Sequence, residues 1–190
     1  MKKYFSGVIF CLFLTSCLAQ NRPNNSSLLV NQIYESQLAY YNANIADKDN
    51  YLSIINFAKT ERSTLFKRIG SVVQSDSFII LEGFSPGWGN FVGLVWNREL
   101  AYSYKKLSTD KKLQITKTNL SGNNVKHNTS IDPFIIKKIS EWDVNYIRNI
   151  KNKIGMGVSD GHYFIATKVT KGKTDHDYII ENIAFEQFAE

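Results

Sequence analysis

Cysteine is nearly absent from this sequence. The chain of 190 residues has 2 cysteines, Cys11 and Cys17, and no cysteine follows position 17. The remainder of the chain therefore has no internal disulfide, no thiol nucleophile and no thiolate zinc site. A domain without these features is stabilised by its hydrophobic core, and the chain after Cys17 is long enough to build one.

Proline, glycine and long apolar runs are also scarce. With 3 prolines and 11 glycines the chain is neither collagen-like nor of low complexity. Apolar residues make up 43% and charged residues 21%, which is typical of a single globular domain. No apolar run reaches the roughly 20 residues of a membrane-spanning helix, which excludes a multi-span membrane protein.

Basic residues exceed acidic ones, but they are not clustered. The counts are 23 Lys and Arg against 17 Asp and Glu. The basic residues occur singly or in short doublets such as Lys105-Lys106, and there is no arginine-rich run. We therefore expect a soluble domain with a mild attraction to anionic surfaces and no nucleic-acid partner.

The common catalytic motifs are missing or out of context. The 3 histidines include no pair at the helical spacing of a zinc protease, and no glycine-rich loop ends in Gly-Lys-Ser/Thr. Gly83–Gly87 matches the letters of a nucleophile elbow, but Pro86 removes the backbone N–H after Ser85 and a strand pattern follows instead of a helix. We therefore predict no catalytic residue, no metal site and no cofactor.

The N-terminal residues have the pattern of an export signal. Lys2 and Lys3 precede a mostly apolar stretch at residues 4–14. This stretch is too short to span a bilayer and has the size of the apolar core of a signal peptide. The basic start favours a cytoplasmic N-terminus while the following chain is translocated.

The next four residues, Leu14-Thr15-Ser16-Cys17, resemble the lipobox of bacterial lipoproteins. The resemblance implies a signal peptide over residues 1–16, cleavage before Cys17, and a Cys17 that carries diacylglycerol and an amide-linked acyl chain such as palmitate. Several acyl chains anchor a protein stably, whereas one does not. The resemblance thus implies a membrane partner reached through a lipid anchor.

Two further features bear on localisation. Leu18 follows the cysteine. In the Gram-negative lipoproteins that this segment resembles, an aspartate at that position implies retention at the inner membrane, so its absence here implies the outer membrane. A second interpretation is ordinary signal cleavage after Ala19, because Cys17 and Ala19 place small residues at the two positions that signal peptidase reads. That processing would release a soluble periplasmic or secreted protein.

After the signal the chain divides into a tether and one domain. Residues 17–27 are polar and rich in Asn and Ser, which indicates a flexible tether. Residues 28–190 form the domain, in which apolar periodicity predicts two N-terminal helices, at 29–46 and 51–69. Strand patterns follow at 78–82, 91–96, 100–104 and 113–118, and again at 162–169 and 178–183.

A long helix is predicted between the two groups of strands. Asp132 and Pro133 suit the N-cap and first turn, and apolar residues follow at steps of three and four as far as Ile154, with Asp143 as a place for a restart after a bend. Short turns between strands imply an antiparallel sheet. We predict an α+β domain with two layers, in which five to six antiparallel strands carry one long helix on one face.

The most distinctive local sequence is Gly83–Asn90, where glycines and Pro86 interrupt two strand patterns. We interpret it first as a shaped hairpin. Its aromatic residues also form a candidate ligand platform, with Phe84, Trp88 and Phe91 as the predicted contacts to a sugar or a peptide.

Two functional hypotheses follow. The first is a non-catalytic lipoprotein of the cell envelope whose domain binds a protein, peptide or glycan. The second is a small exported hydrolase or metal-dependent enzyme that uses His162, Asp160 or Glu82. The absence of a coherent catalytic set favours the first.

Overall fold

The computed structural model describes residues 25–45, 49–85, 90–120, 133–150, 162–174 and 177–187. The helices in these ranges are α1 (Asn25–Asn44), α2 (Asp49–Arg68), α3 (Gly70–Val73), α4 (Pro133–Ser140) and α5 (Val144–Arg148). The strands are β1 (Ser77–Ser85), β2 (Asn90–Trp96), β3 (Ala101–Lys106), β4 (Gln114–Thr118), β5 (His162–Lys171) and β6 (Tyr178–Gln187). Within these ranges, no helix is both long enough and apolar enough to cross a membrane.

The strands form one antiparallel sheet in the order β4-β3-β2-β1-β5-β6. The central strand β1 pairs with β2 on one side and with β5 on the other. The chain therefore builds β1 to β4 as successive neighbours and returns through α4 and α5 to add β5 and β6. This topology confirms the predicted α+β class, the antiparallel pairing and the number of strands.

Helices cover both faces of this sheet. Phe78 and Ile80 of β1 belong to the core beneath α1 and α2. Ile79 and Leu81 belong to a second core that includes the buried residues of α4 and α5. Because successive strand side chains point to opposite faces, the continuous apolar run of β1 supplies both cores. The domain thus has three layers, and our expectation of two was wrong.

The predicted long helix is interrupted after Ser140. The N–H of Trp142 donates to the carbonyl of Ile139 at 2.9 Å, and the N–H of Asp143 donates to the carbonyl of Lys138 at 3.0 Å. This is the hydrogen-bond pattern of a Schellman motif, and Trp142 takes the left-handed position with φ of 53°. Asp143 then caps α5 by accepting a hydrogen bond from the N–H of Tyr146. The prediction of one long helix was therefore wrong, whereas the predicted restart at Asp143 is confirmed.

Candidate functional site

An open groove of about 690 Å³ lies at the end of the sheet where β1 begins and β2 ends. One wall is the segment from α3 into β1, which contributes Ser71, Asp76 and Ser77. The opposite wall includes the turn after β2 and Ser140 at the end of α4. The groove is therefore built by residues that are distant in sequence and meet only in the folded domain.

Two buried aromatic residues, Phe78 and Trp96, are among the residues that line the groove. The side chains of Phe78 and Trp96 are 2% and 3% exposed. The indole Nε1 of Trp96 donates to the hydroxyl of Ser140 at 3.1 Å, and that hydroxyl donates to the carbonyl of Ile136 at 2.8 Å. The first of these bonds joins β2 to α4 and fixes the position of the Trp96 indole, and the second holds the Ser140 hydroxyl within α4. Both rings are buried, and a ligand cannot stack on their faces.

The turn after β2 positions two exposed charges at the rim. The side-chain oxygen of Asn97 accepts hydrogen bonds from the backbone N–H of Glu99 at 2.9 Å and of Leu100 at 2.8 Å. This local bonding is typical of asparagine in turns and closes the short turn between β2 and β3. Arg98 and Glu99 are both exposed and line the groove.

The remaining charges of the groove come from Asp76 and Lys168. Asp76 is exposed. The ammonium of Lys168 lies 3.6 Å from a carboxylate oxygen of Glu181 and 5.7 Å from the centre of the Trp142 ring. Ion pairs this exposed contribute little, so Lys168 remains available to a ligand. Within the described ranges, no ion pair or hydrogen bond engages the side chains of Asp76, Arg98 and Glu99.

The groove therefore offers hydroxyl, carboxylate, guanidinium and ammonium groups beside apolar residues. Such a surface suits reversible binding of a polar chain, since it has hydrogen-bond partners of both kinds and both signs of charge. Among the residues that the structure describes, no three His, Cys, Asp or Glu side chains are grouped so that they could hold a metal ion.

A second polar assembly lies inside the domain, between α2 and β1. Arg62 is 1% exposed and Glu82 is fully buried. The Arg62 Nε donates to Oε1 of Glu82 at 2.9 Å, and its Nη2 donates to Oε2 of the same carboxylate. This is the two-pronged geometry in which arginine binds carboxylates most strongly. The two charges neutralise each other in the core.

Gln37 of α1 extends this pair into a network. Its side-chain nitrogen donates to Glu82 at 3.0 Å and to the hydroxyl of Thr167 at 2.8 Å, while its oxygen accepts from Arg62 at 2.5 Å. The Thr167 hydroxyl in turn donates to the side-chain oxygen of Asn182 at 2.8 Å. The network therefore links α1 and α2 to β1, β5 and β6, and it fixes how the helical layer sits on the sheet.

Tyr104 of β3 closes the network on its other side. Its ring is 2% exposed, and its hydroxyl donates to Oε1 of Glu82 at 3.4 Å. Burial raises the pKa of Tyr104 well above its usual value, and the negative charge of Glu82 raises this pKa further. The folded protein therefore holds this hydroxyl in its neutral form at pH values where an exposed tyrosine ionises.

This raised pKa predicts a loss of stability in alkali. Above about pH 10 the unfolded chain releases the Tyr104 proton while the folded chain keeps it. The contribution of Tyr104 to the free energy of unfolding is therefore fully present below pH 10, and it is lost as the pH rises towards the folded-state pKa. Above pH 10, we expect the free energy of unfolding of the parent to fall by about 1.4 kcal/mol per pH unit relative to that of Tyr104→Phe, as measured by urea titrations. Tyr102→Phe, on the same strand and partly exposed, is the control, and an equal change in both variants would contradict the assignment.

The predicted aromatic platform lies at the opposite end of β1 from the groove. Phe84 is partly buried against the core beneath α1 and α2, and Trp88 lies outside the described residues. Phe91 is 1% exposed, with its ring centre 4.8 Å from that of Phe57 and 5.8 Å from that of Tyr104. Core packing thus accounts for Phe91, which leaves no ring face for a ligand, and a platform at Trp88 stays a prediction.

The structure describes only part of the remaining residues that the sequence indicated for lipidation or catalysis. Cys17 and Asp160 lie outside the described residues. His162 begins β5, but its side chain is not among those described. Glu82 is enclosed and bonded through both carboxylate oxygens, so it has no face open to a substrate.

The charged residues of the groove were missed in the sequence. Asp76, Arg98 and Lys168 look like any other surface charges there, and the only local signal is the short polar stretch at residues 97–99 between two strand patterns. Comparisons with protein-family models, curated protein sequences and solved structures found no match.

Proposed function

We propose that this protein is exported and anchored to the bacterial outer membrane through lipid on Cys17, and that its domain binds a protein, peptide or glycan without catalysing a reaction. The observation that carries the proposal is Leu14-Thr15-Ser16-Cys17 directly after a short apolar segment. In this order, the basic residues and the apolar run direct export, and the cysteine accepts the lipid.

The position of α1 supports a domain held near the membrane surface. The helix begins at Asn25, within the tether proposed for residues 17–27. An extended chain gains at most about 3.6 Å per residue, so the short segment from Cys17 keeps the domain within tens of ångströms of the anchor. A ligand of this domain would be met at the envelope surface or in the periplasm.

The groove supports a binding role. The side chains of Asp76, Arg98 and Glu99 have no partner within the described ranges, and the Trp96–Ser140 hydrogen bond holds one of the buried rings that line the groove. Unpaired charges around a preformed groove give orientation and specificity to a bound polar chain. Glu82, the carboxylate of the enzyme hypothesis, is committed to the core.

Site-specific photo-crosslinking in living cells tests this role. A photoreactive phenylalanine analogue replaces Arg98 in the groove or, as the control, exposed Lys67 on α2. In the bacterium that produces the protein, we expect a discrete covalent adduct from position 98 and none from position 67. The same adducts from both positions, or none from position 98 in an anchored protein, would count against the groove as the binding site.

A further inference from the structure

The outer edge of β6 presents backbone groups that a further strand can use. In an antiparallel pair, alternate residues bond to the neighbouring strand and the others point away from it. The N–H of Ala184 donates to the hydroxyl of Tyr40 at 3.2 Å, so it points away from β5. By alternation, the N–H and C=O groups of Ile180 and Asn182 also point outward. Tyr40 thus covers the edge at Ala184, and no described strand pairs with the edge before it.

The side chains along this part of the edge have a definite chemical pattern. Ile179 and Glu181 occupy alternate positions of β6 and so share one face. Asp177, in the turn just before β6, continues this alternation, and its carboxylate lies beside Gly172. Ile179 is 60% exposed, the highest value among the large apolar residues described. Asp177 is exposed and its carboxylate has no partner in the described ranges, while Glu181 is 48% exposed beside Lys168. Along this face, an acidic residue, an aliphatic residue and a second acidic residue therefore follow one another.

The other edge of the sheet is different. β4 spans only Gln114–Thr118, its residues are exposed or partly exposed, and it carries Lys117. Short edge strands with lysine are a common protection against pairing with other chains. β6 is twice as long and lacks a basic residue. The contrast singles out β6 as the edge that is open to a partner.

Charge indicates which partner fits. If two copies of β6 paired antiparallel about Ile179, Glu181 of each copy would lie opposite Asp177 of the other. Like charges directly opposite one another are destabilising, so the edge does not complement itself. A strand with basic residues opposite Asp177 and Glu181, and an aliphatic residue opposite Ile179, complements all three positions.

We propose that the outer edge of β6 binds an extended segment of another protein in which two basic residues flank an aliphatic one at alternate positions. The segment adds a seventh strand to the sheet. Its backbone pairs with Ile180 and Asn182, its aliphatic side chain covers Ile179, and its basic side chains meet Asp177 and Glu181. This surface adjoins the groove at the ion pair between Glu181 and the groove residue Lys168. It does not depend on the lipid anchor.

Amide hydrogen exchange tests the proposal. The purified full-length protein in detergent is titrated with the peptide Thr-Lys-Thr-Ile-Thr-Lys-Thr, and with a control peptide in which glutamate replaces both lysines. We expect saturable binding of the lysine peptide alone, with slower exchange at Ile180 and Asn182. The amides of Ile179 and Glu181, which by alternation already bond to β5, should change little.

A pair of variants supplies the matched control. Ile179→Lys should lower the affinity for the lysine peptide by about tenfold, because it removes the apolar contact and adds a positive charge beside the lysines of the peptide. Thr116→Lys makes the same change of charge on the edge strand β4 and should leave the affinity unchanged. Both positions are exposed, and equal melting temperatures confirm folding.

Four results would overturn the proposal. These are no saturable binding, equal binding of the glutamate peptide, equal binding by Ile179→Lys, and binding without protection of Ile180 and Asn182. Protection of the two amides that rises with protein concentration in the absence of peptide would instead assign the edge to a second copy of the chain.

Discussion

Arg62→Met and Glu82→Leu, made singly, are each expected to lower the free energy of unfolding by about 3–5 kcal/mol. Each removes one member of a buried ion pair and leaves the other charge in the core without its counterion. The double variant replaces both charges with apolar side chains and is expected to recover most of that loss. Urea denaturation of the four proteins gives the coupling energy directly.

A matched cycle at the surface provides the control. Lys137 and Glu141 are 69% and 46% exposed and lie 4.0 Å apart on and just after α4. Their coupling is expected to be below about 0.5 kcal/mol. If the two buried single variants instead lose stability additively in the double variant, Arg62 and Glu82 do not act as a pair.

Gly93→Ala is expected to destabilise the protein by about 1–3 kcal/mol, the usual effect of overpacking a core. An alanine Cβ at this position would lie 2.2 Å from Cζ and 2.5 Å from the hydroxyl of Tyr104, which is opposite Gly93 on β3. The ring would have to move, and with it the hydroxyl that contacts Glu82. Gly93 is therefore the residue that gives Tyr104 its place in the polar network.

Gly70→Ala is the control for this substitution. Apart from its chain neighbours and the nearby backbone of α3, no atom lies within 4 Å of a Cβ built at Gly70, which starts α3. We expect this change to be neutral or to stabilise by less than about 1 kcal/mol. Thermal unfolding monitored by circular dichroism distinguishes the two variants, and equal melting temperatures would show that the space beside Gly93 is not needed.

The sequence predicted the class of the fold because strand and helix periods are local properties. The three strands β1, β2 and β3 were each expected within a few residues of their observed ends. The prediction of one long helix was wrong because the apolar stripe continues past the break. The residue that ends α4 in the left-handed conformation is a tryptophan, whereas glycine or asparagine usually marks such a position. Only Asp143, a good N-cap, marked the second start.

The sequence carries a signal of the polar network. In α2 the apolar positions Tyr51, Ile55, Ala58, Leu65 and Ile69 leave one gap in the stripe, and Arg62 fills it. A charged residue at such a position is either misplaced or paired in the core. Glu82 likewise continues the buried face of β1 after Phe78 and Ile80. That these two residues pair with each other depends on tertiary packing, which periodicity does not encode.

The groove could not be predicted for the same reason. Its walls come from α3, the start of β1, the turn after β2, and α4, and no local pattern relates these segments. The open edge of β6 also depends on strand order. A strand pattern at residues 178–183 does not show whether the strand is central or at the edge.

The intact mass of the protein from a bacterial membrane fraction tests the central claim most directly, with a Cys17→Ser variant measured beside it. We predict a mature chain that starts at Cys17 and carries diacylglycerol and an amide-linked acyl chain, and we predict that the variant has no lipid. A mature chain that starts at Gln20 without lipid would contradict the anchored lipoprotein and would make the protein a soluble exported one.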